Sequence, residues 1–119
     1  MKRRILRGAA LFAVSGAVTY AFLLNLCHAI YRCGCQSWWN GADELCNVHQ
    51  PDARHCPWCS YGDAGAALMF ALILAPQFAL AFWPAALPMR WRAPLMLALF
   101  PVAGALVGLG YGWHAGYWR

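Results

Sequence analysis

The chain has 119 residues, of which 62% are hydrophobic and only 11% charged, with a formal net charge of +5. A typical soluble domain is roughly 45–50% apolar and about 25% charged, so lipid is the expected main solvent. The positive charge sits in a tail (Lys2, Arg3, Arg4, Arg7) and a short connector (Arg90, Arg92), with no basic face carrying interleaved stacking aromatics, which excludes a nucleic-acid partner.

In chain order, residues 1–7 form a basic tail and residues 8–29 a first uncharged stretch. At about 1.5 Å per residue this stretch is long enough to cross a hydrocarbon core about 30 Å thick. A cleaved signal peptide is the rival reading, with MKRRILR as its basic region, but signal cores run about 7–15 residues. Residues 30–64 form a polar loop. A second span over 65–83 contains Pro76, expected to bend it, and Gln77, a polar group near its middle. Residues 84–93 make a basic turn, 94–112 a third span, and 113–119 a short tail. Together these predict an all-α membrane protein with three transmembrane helices and a Cys/His-rich loop between the first two.

Lys and Arg accumulate on the cytoplasmic side of membrane proteins. The tail and turn carry six basic residues and no acid. The N-terminus is therefore expected inside, and the loop and C-terminal tail outside the cytoplasmic (plasma) membrane. Trp38, Trp39, Trp58, Tyr61, Tyr111, Trp113, Tyr117 and Trp118 then fall near the outer boundary, to lie in the headgroup zone or to pack the loop.

Small residues recur every four positions in each span: Ala9, Ala13, Ala17, Ala21; Ala67, Ala71, Ala75, Ala79; Gly104, Gly108, Gly112, and on to Gly116. Such stripes let helices approach closely. Packing within the chain is one use; a protein partner or homo-oligomer docked through Gly104, Gly108 and Gly112 is the other.

The loop concentrates the chemistry. Cys33-x-Cys35, Cys46-x2-His49 and His55-Cys56-x2-Cys59 are short spacings at which one turn can aim two ligands at one ion. Cys46, His49, Cys56 and Cys59 could close on one tetrahedral metal, with Cys33, Cys35 and His55 beside it. Thiolate with imidazole suits Zn²⁺ or Cu⁺. Structural disulfides compete for the same residues, because an extracytoplasmic cysteine set is usually cross-linked. Cys27, at the edge of the first span, is expected to stand apart, leaving an odd thiol in the loop. A third reading is thiol–disulfide exchange: Cys56-Pro57-Trp58-Cys59 resembles the Cys-Pro-aromatic-Cys dithiol of glutaredoxins over those four residues. Ser60 with Asp63 would cap the second span and place Cys59 at a helix N-terminus, where a thiolate is favoured. The chain lacks the second Cys-x2-Cys pair and four-helix core of membrane oxidoreductases that use quinone, and the adjacent Cys-Cys pairs of mercury transporters. A b-type haem between His28 and His114 is a remote option. No catalytic Ser/His/Asp set, paired carboxylates or phosphate-binding glycine loop is present to suggest hydrolase or kinase chemistry. The expectation is a small accessory or assembly protein, not an autonomous enzyme, with a metal-binding loop.

Overall fold

The computed structural model describes residues 1–83 and 86–119. Its helices are α1 (Lys2–Tyr31), the single-turn α2 (Pro57–Ser60), α3 (Gly62–Phe82) and α4 (Met89–His114). Helices α1, α3 and α4 are long and apolar enough to span a membrane. They pack pairwise into an up-down-up bundle 55 × 29 × 21 Å in extent. The helices overlie the stretches expected as spans, extending past them except at the end of α3, which stops at Phe82, and Pro76, Pro94 and Pro101 all lie inside helices. Pro84 and Ala85 of the predicted basic turn lie outside the described residues.

The interior is chosen by polarity and size. On α1 the buried positions are Gly8, Ser15, Thr19, Leu23, Cys27 and Tyr31; on α3 they are Gly65, Met69, Ile73, Gln77 and Ala81. Nearly all follow a spacing of four, which keeps one helix face toward its neighbours. The Ala9–Ala13–Ala17–Ala21 and Ala67–Ala71–Ala75–Ala79 stripes do not do this job. All but the partly covered Ala21 are exposed. The reason lies in three polar side chains that pair with one another when buried. Ser15 Oγ donates to Gln77 Oε1 (2.8 Å), Gln77 Nε2 donates to Thr19 Oγ1 (2.8 Å), and Thr19 Oγ1 donates to the Ser15 carbonyl (2.8 Å). Burying this network turns the alanine faces outward. Interhelical hydrogen bonds in membranes contribute about 1 kcal/mol, so Gln77→Leu should lower the detergent melting temperature modestly while the helices persist. An unchanged melt would show the network to be dispensable.

The glycine series behaves as a stripe, and it is used within the chain. A Cβ on Gly104 would lie 2.2 Å from Leu26 Cδ2, one on Gly108 2.6 Å from Ile30 Cδ1, and one on Gly112 2.4 Å from the Trp118 ring. Side chains of α1 and of the C-terminal tail lie against this stripe, so these glycines serve close packing within the chain. Gly116 is different: it follows α4 with φ +68°, where glycine is favoured.

One end of the bundle is basic. Arg92 is buried in the first turn of α4, and its guanidinium donates to the Ala81 (2.8 Å) and Leu80 carbonyls, while its Nε reaches Leu87. It thereby satisfies carbonyls at the C-terminus of α3, where a cation is also favoured by the helix dipole. Gly8 of α1 abuts the same Ala81 carbonyl. The start of α1, the end of α3 and the start of α4 therefore meet there, and residues 27–62 and 112–119 assemble at the opposite end.

Candidate metal centre

All six cysteines converge at that opposite end, and all are free thiols. Cys27, in the last turns of α1, is wholly buried, with its Sγ 3.3 Å from Cys56 and 3.5 Å from Cys33; Cys35 and Cys59 are 3.8 Å apart. These are contact distances, well beyond the S–S bond of about 2.05 Å. The triads Cys27/Cys33/Cys56, Cys27/Cys35/Cys59, Cys33/Cys35/Cys46 and Cys46/Cys56/Cys59 each have their sulfurs mutually within 4.8 Å, which puts twelve of the fifteen sulfur pairs within that distance. Such a cluster can hold a metal ion.

Each strand of the loop is placed for a local reason. Arg32 leaves α1 in the left-handed conformation, its N–H donating to the His28 carbonyl, as helix ends often do. Gly34 follows with φ +95°, and a Cβ there would lie 2.2 Å from the Leu45 carbonyl oxygen; only glycine lets Cys33-Gly34-Cys35 lie against Leu45-Cys46. Asn47 locks this pairing. Its backbone N–H donates to the Cys33 carbonyl (2.7 Å), and its Oδ1 accepts from the Cys56 N–H (2.7 Å). Its Nδ2 donates to Tyr117 Oη (2.9 Å), which in turn donates to the Tyr31 carbonyl (2.8 Å). Arg54 donates to the Tyr117 carbonyl (2.7 Å). The C-terminal tail is thus a strap over the cluster, completed by Tyr31 stacked on Trp118 and edge-on to Trp58 and Tyr117. Some of the boundary aromatics therefore pack the loop. Trp38 instead stacks on Tyr20 of α1, with Nε1 donating to the Tyr20 carbonyl.

The sequence-predicted ligands divide cleanly. Cys33, Cys35, Cys46, Cys56 and Cys59 are brought together; His49 and His55 are not. His49 Nε2 lies 3.8 Å from Asp43 Oδ2, with both side chains more than half exposed. The His55 ring pairs with the Gln50 carbonyl at 3.0 Å. Of the expected tetrahedral set, Cys46, Cys56 and Cys59 lie together, while the turn after Cys46 points His49 outward. Cys27, expected to stand apart, is central. It continues the buried Ser15–Thr19–Leu23 register of α1, and that spacing was the signal available for it. His28 Nδ1 accepts from the Gly34 N–H (3.0 Å), and His28 and His114 are both exposed. Ser60 Oγ donates to the Cys56 carbonyl and caps nothing on α3, which has no side-chain N-cap.

No protein family, curated protein or solved structure matches the chain. The chemistry must be read from the site.

Sulfur contacts shape the acidity of the loop thiols. Hydrogen bonds from Cys27, Cys35 and Cys56 hold both Cys33 and Cys59 well below the usual thiol range, whereas burial pushes Cys46 up to about 11. Among the six, only Cys59 is not buried. In reduced, metal-free protein at neutral pH it should therefore be the first thiol alkylated by iodoacetamide, as the thiolate is the reacting form. Peptide mapping of a short labelling pulse checks this, and preferential labelling of Cys46 would contradict it.

Proposed function

We propose that this is a small integral membrane protein that binds a soft transition metal, Zn²⁺ or Cu⁺, through the six-cysteine cluster. The observation that carries the reading is the convergence of every cysteine, as a free thiol, on one buried locus. Six sulfurs that share one buried locus can offer thiolates to a cation that neutralises their charge. Soft thiolates select such metals.

The orientation is part of the proposal. Lys2, Arg3, Arg4, Arg7, Arg90 and Arg92 fall at one end of the bundle and the cluster at the other. By the distribution of Lys and Arg, the cluster faces the outside of the plasma membrane. A cluster of six cysteines at one end of the helical bundle suits a protein that holds or hands over metal as an accessory to a membrane complex.

Metal analysis beside a free-thiol count on the purified protein tests this reading. Bound metal should protect the thiols from alkylation until a chelator is added. Mild acid should also release the metal, since proton binding to the thiolates competes with metal binding and affinity falls as pH falls. A metal-free protein whose thiols appear only after reduction would refute the proposal. An impermeant thiol reagent that reaches the cluster only from the cytoplasmic side would refute the orientation.

A further inference from the structure

The arrangement of the six sulfurs carries more than the presence of a site. Every cysteine belongs to two of the four triads, and the pairs that share none are Cys27–Cys46, Cys33–Cys59 and Cys35–Cys56. That is the relation among the vertices of an octahedron, in which each vertex has one opposite partner and four neighbours. The twelve contacting pairs place all eight faces of this octahedron within the same 4.8 Å limit, and the four triads named are one of its two sets of alternate faces.

We infer that the cluster is built to hold four cuprous ions, one over each face of an alternate set of four, as a Cu₄S₆ unit in which every thiolate bridges two metals. This deepens the metal-binding reading and rests on it. A metal in the plane of three sulfurs, with a bond of about 2.3 Å, sets them about 4.0 Å apart. The observed contacts of 3.3, 3.5 and 3.8 Å and the common limit of 4.8 Å bracket that spacing.

The competing metal arrangements fit less well. A tetrahedral S₄ set marks zinc and iron–sulfur sites, and it requires four sulfurs in mutual contact; here the groups are triads. Two zinc ions sharing two of six thiolates form edge-sharing tetrahedra. With bonds of about 2.3 Å, that shape leaves four sulfur pairs about 5–6.5 Å apart, and only three pairs here fall outside the triads. Cu⁺ is soft, monovalent and content with three thiolates, so it matches the faces offered.

One further feature suits such a unit. A cavity of about 210 Å³ reaches Cys27 and Cys59 past Asp43 and Asp63, a cation route to the cluster. Loading involves no change of oxidation state. Four Cu⁺ form twelve Cu–S bonds to six thiolates, the thiol protons leave to solvent, and the unit carries a net charge of −2.

The test titrates the reduced, metal-free full chain in detergent with Cu⁺ supplied as its acetonitrile complex, and in parallel with Zn²⁺. Native mass spectrometry should pass from the metal-free chain to the chain plus four copper ions. X-ray absorption should show three-coordinate copper with short Cu···Cu vectors. Cys46→Ser and Cys27→Ser each remove two triads and should cut the copper capacity to two or fewer, with helical circular dichroism retained; His49→Ala and His55→Ala should keep four. Saturation at one or two isolated copper ions, or preferential binding of two Zn²⁺, would overturn the four-copper assignment and leave metal binding intact. Binding of neither ion would overturn both.

Discussion

Cys27→Ser is expected to cost metal affinity as heavily as the loss of any loop cysteine, although Cys27 belongs to the long apolar helix α1 and not to the loop. Its sulfur touches Cys33 and Cys56 and participates in two of the four triads. Substitutions around a metal that spare the ligands typically cost roughly 10–100-fold in affinity, so removal of a ligand should cost at least about 100-fold. Serine preserves size and leaves a hydroxyl that binds soft metals poorly. The measurement is a competition titration against a chelator of known affinity, beside parent, His49→Ala and His55→Ala. The histidine variants should match the parent, since neither ring approaches the cluster. If His49→Ala loses metal while Cys27→Ser keeps it, the loop is rearranged on metal binding and the all-cysteine site is wrong.

Gly112→Leu should be the most damaging of the glycine substitutions for the strap that covers the cluster. A Cβ there would lie 2.4 and 2.5 Å from the Trp118 ring and 2.8 Å from Tyr31 Cε1. Leucine must displace both aromatics, and Tyr31 also donates from its hydroxyl to the Gly108 carbonyl. Overpacking of this kind costs about 1–3 kcal/mol, partly offset by the better helix propensity of leucine. Thermal melting in detergent should fall, and alkylation of the metal-free thiols should quicken as Trp118 lifts away. Gly110→Leu is the matched control, because nothing lies within 4 Å of a Cβ at that position. It should melt like the parent. Equal melting of both variants would mean that the tail does not rest on α4.

What the sequence determined by itself was the scaffold. Uncharged runs of sufficient length identify three helices long and apolar enough to span a membrane without knowledge of their neighbours, because bilayer thickness sets the length required. The placement of Lys and Arg at one set of span ends was legible for the same reason, as was the gathering of chemistry between residues 33 and 59. The glycine series in α4 was readable as a contact face. Its occupants, Leu26, Ile30, Tyr31 and Trp118, were not. Which face of α1 and α3 turns inward was decided by pairing. Ser15 and Thr19 find Gln77 only when α1 and α3 lie side by side, and satisfying those three groups outweighs the close approach that the alanine stripes offer.

The ligand set needed the tertiary structure most. Spacing along a chain ranks ligands by how readily one local turn can present two of them, so Cys46-x2-His49 looked as good as Cys56-x2-Cys59. Backbone hydrogen bonds from Asn47 and the left-handed turn at Gly34 then decide direction, sending His49 and His55 to solvent and five cysteines inward. Cys27 joins them through helical register, six residues before Cys33 in sequence yet 3.5 Å away in space. A membrane helix buries what it aligns with its inward face. That face exists only once the neighbouring helices are in place.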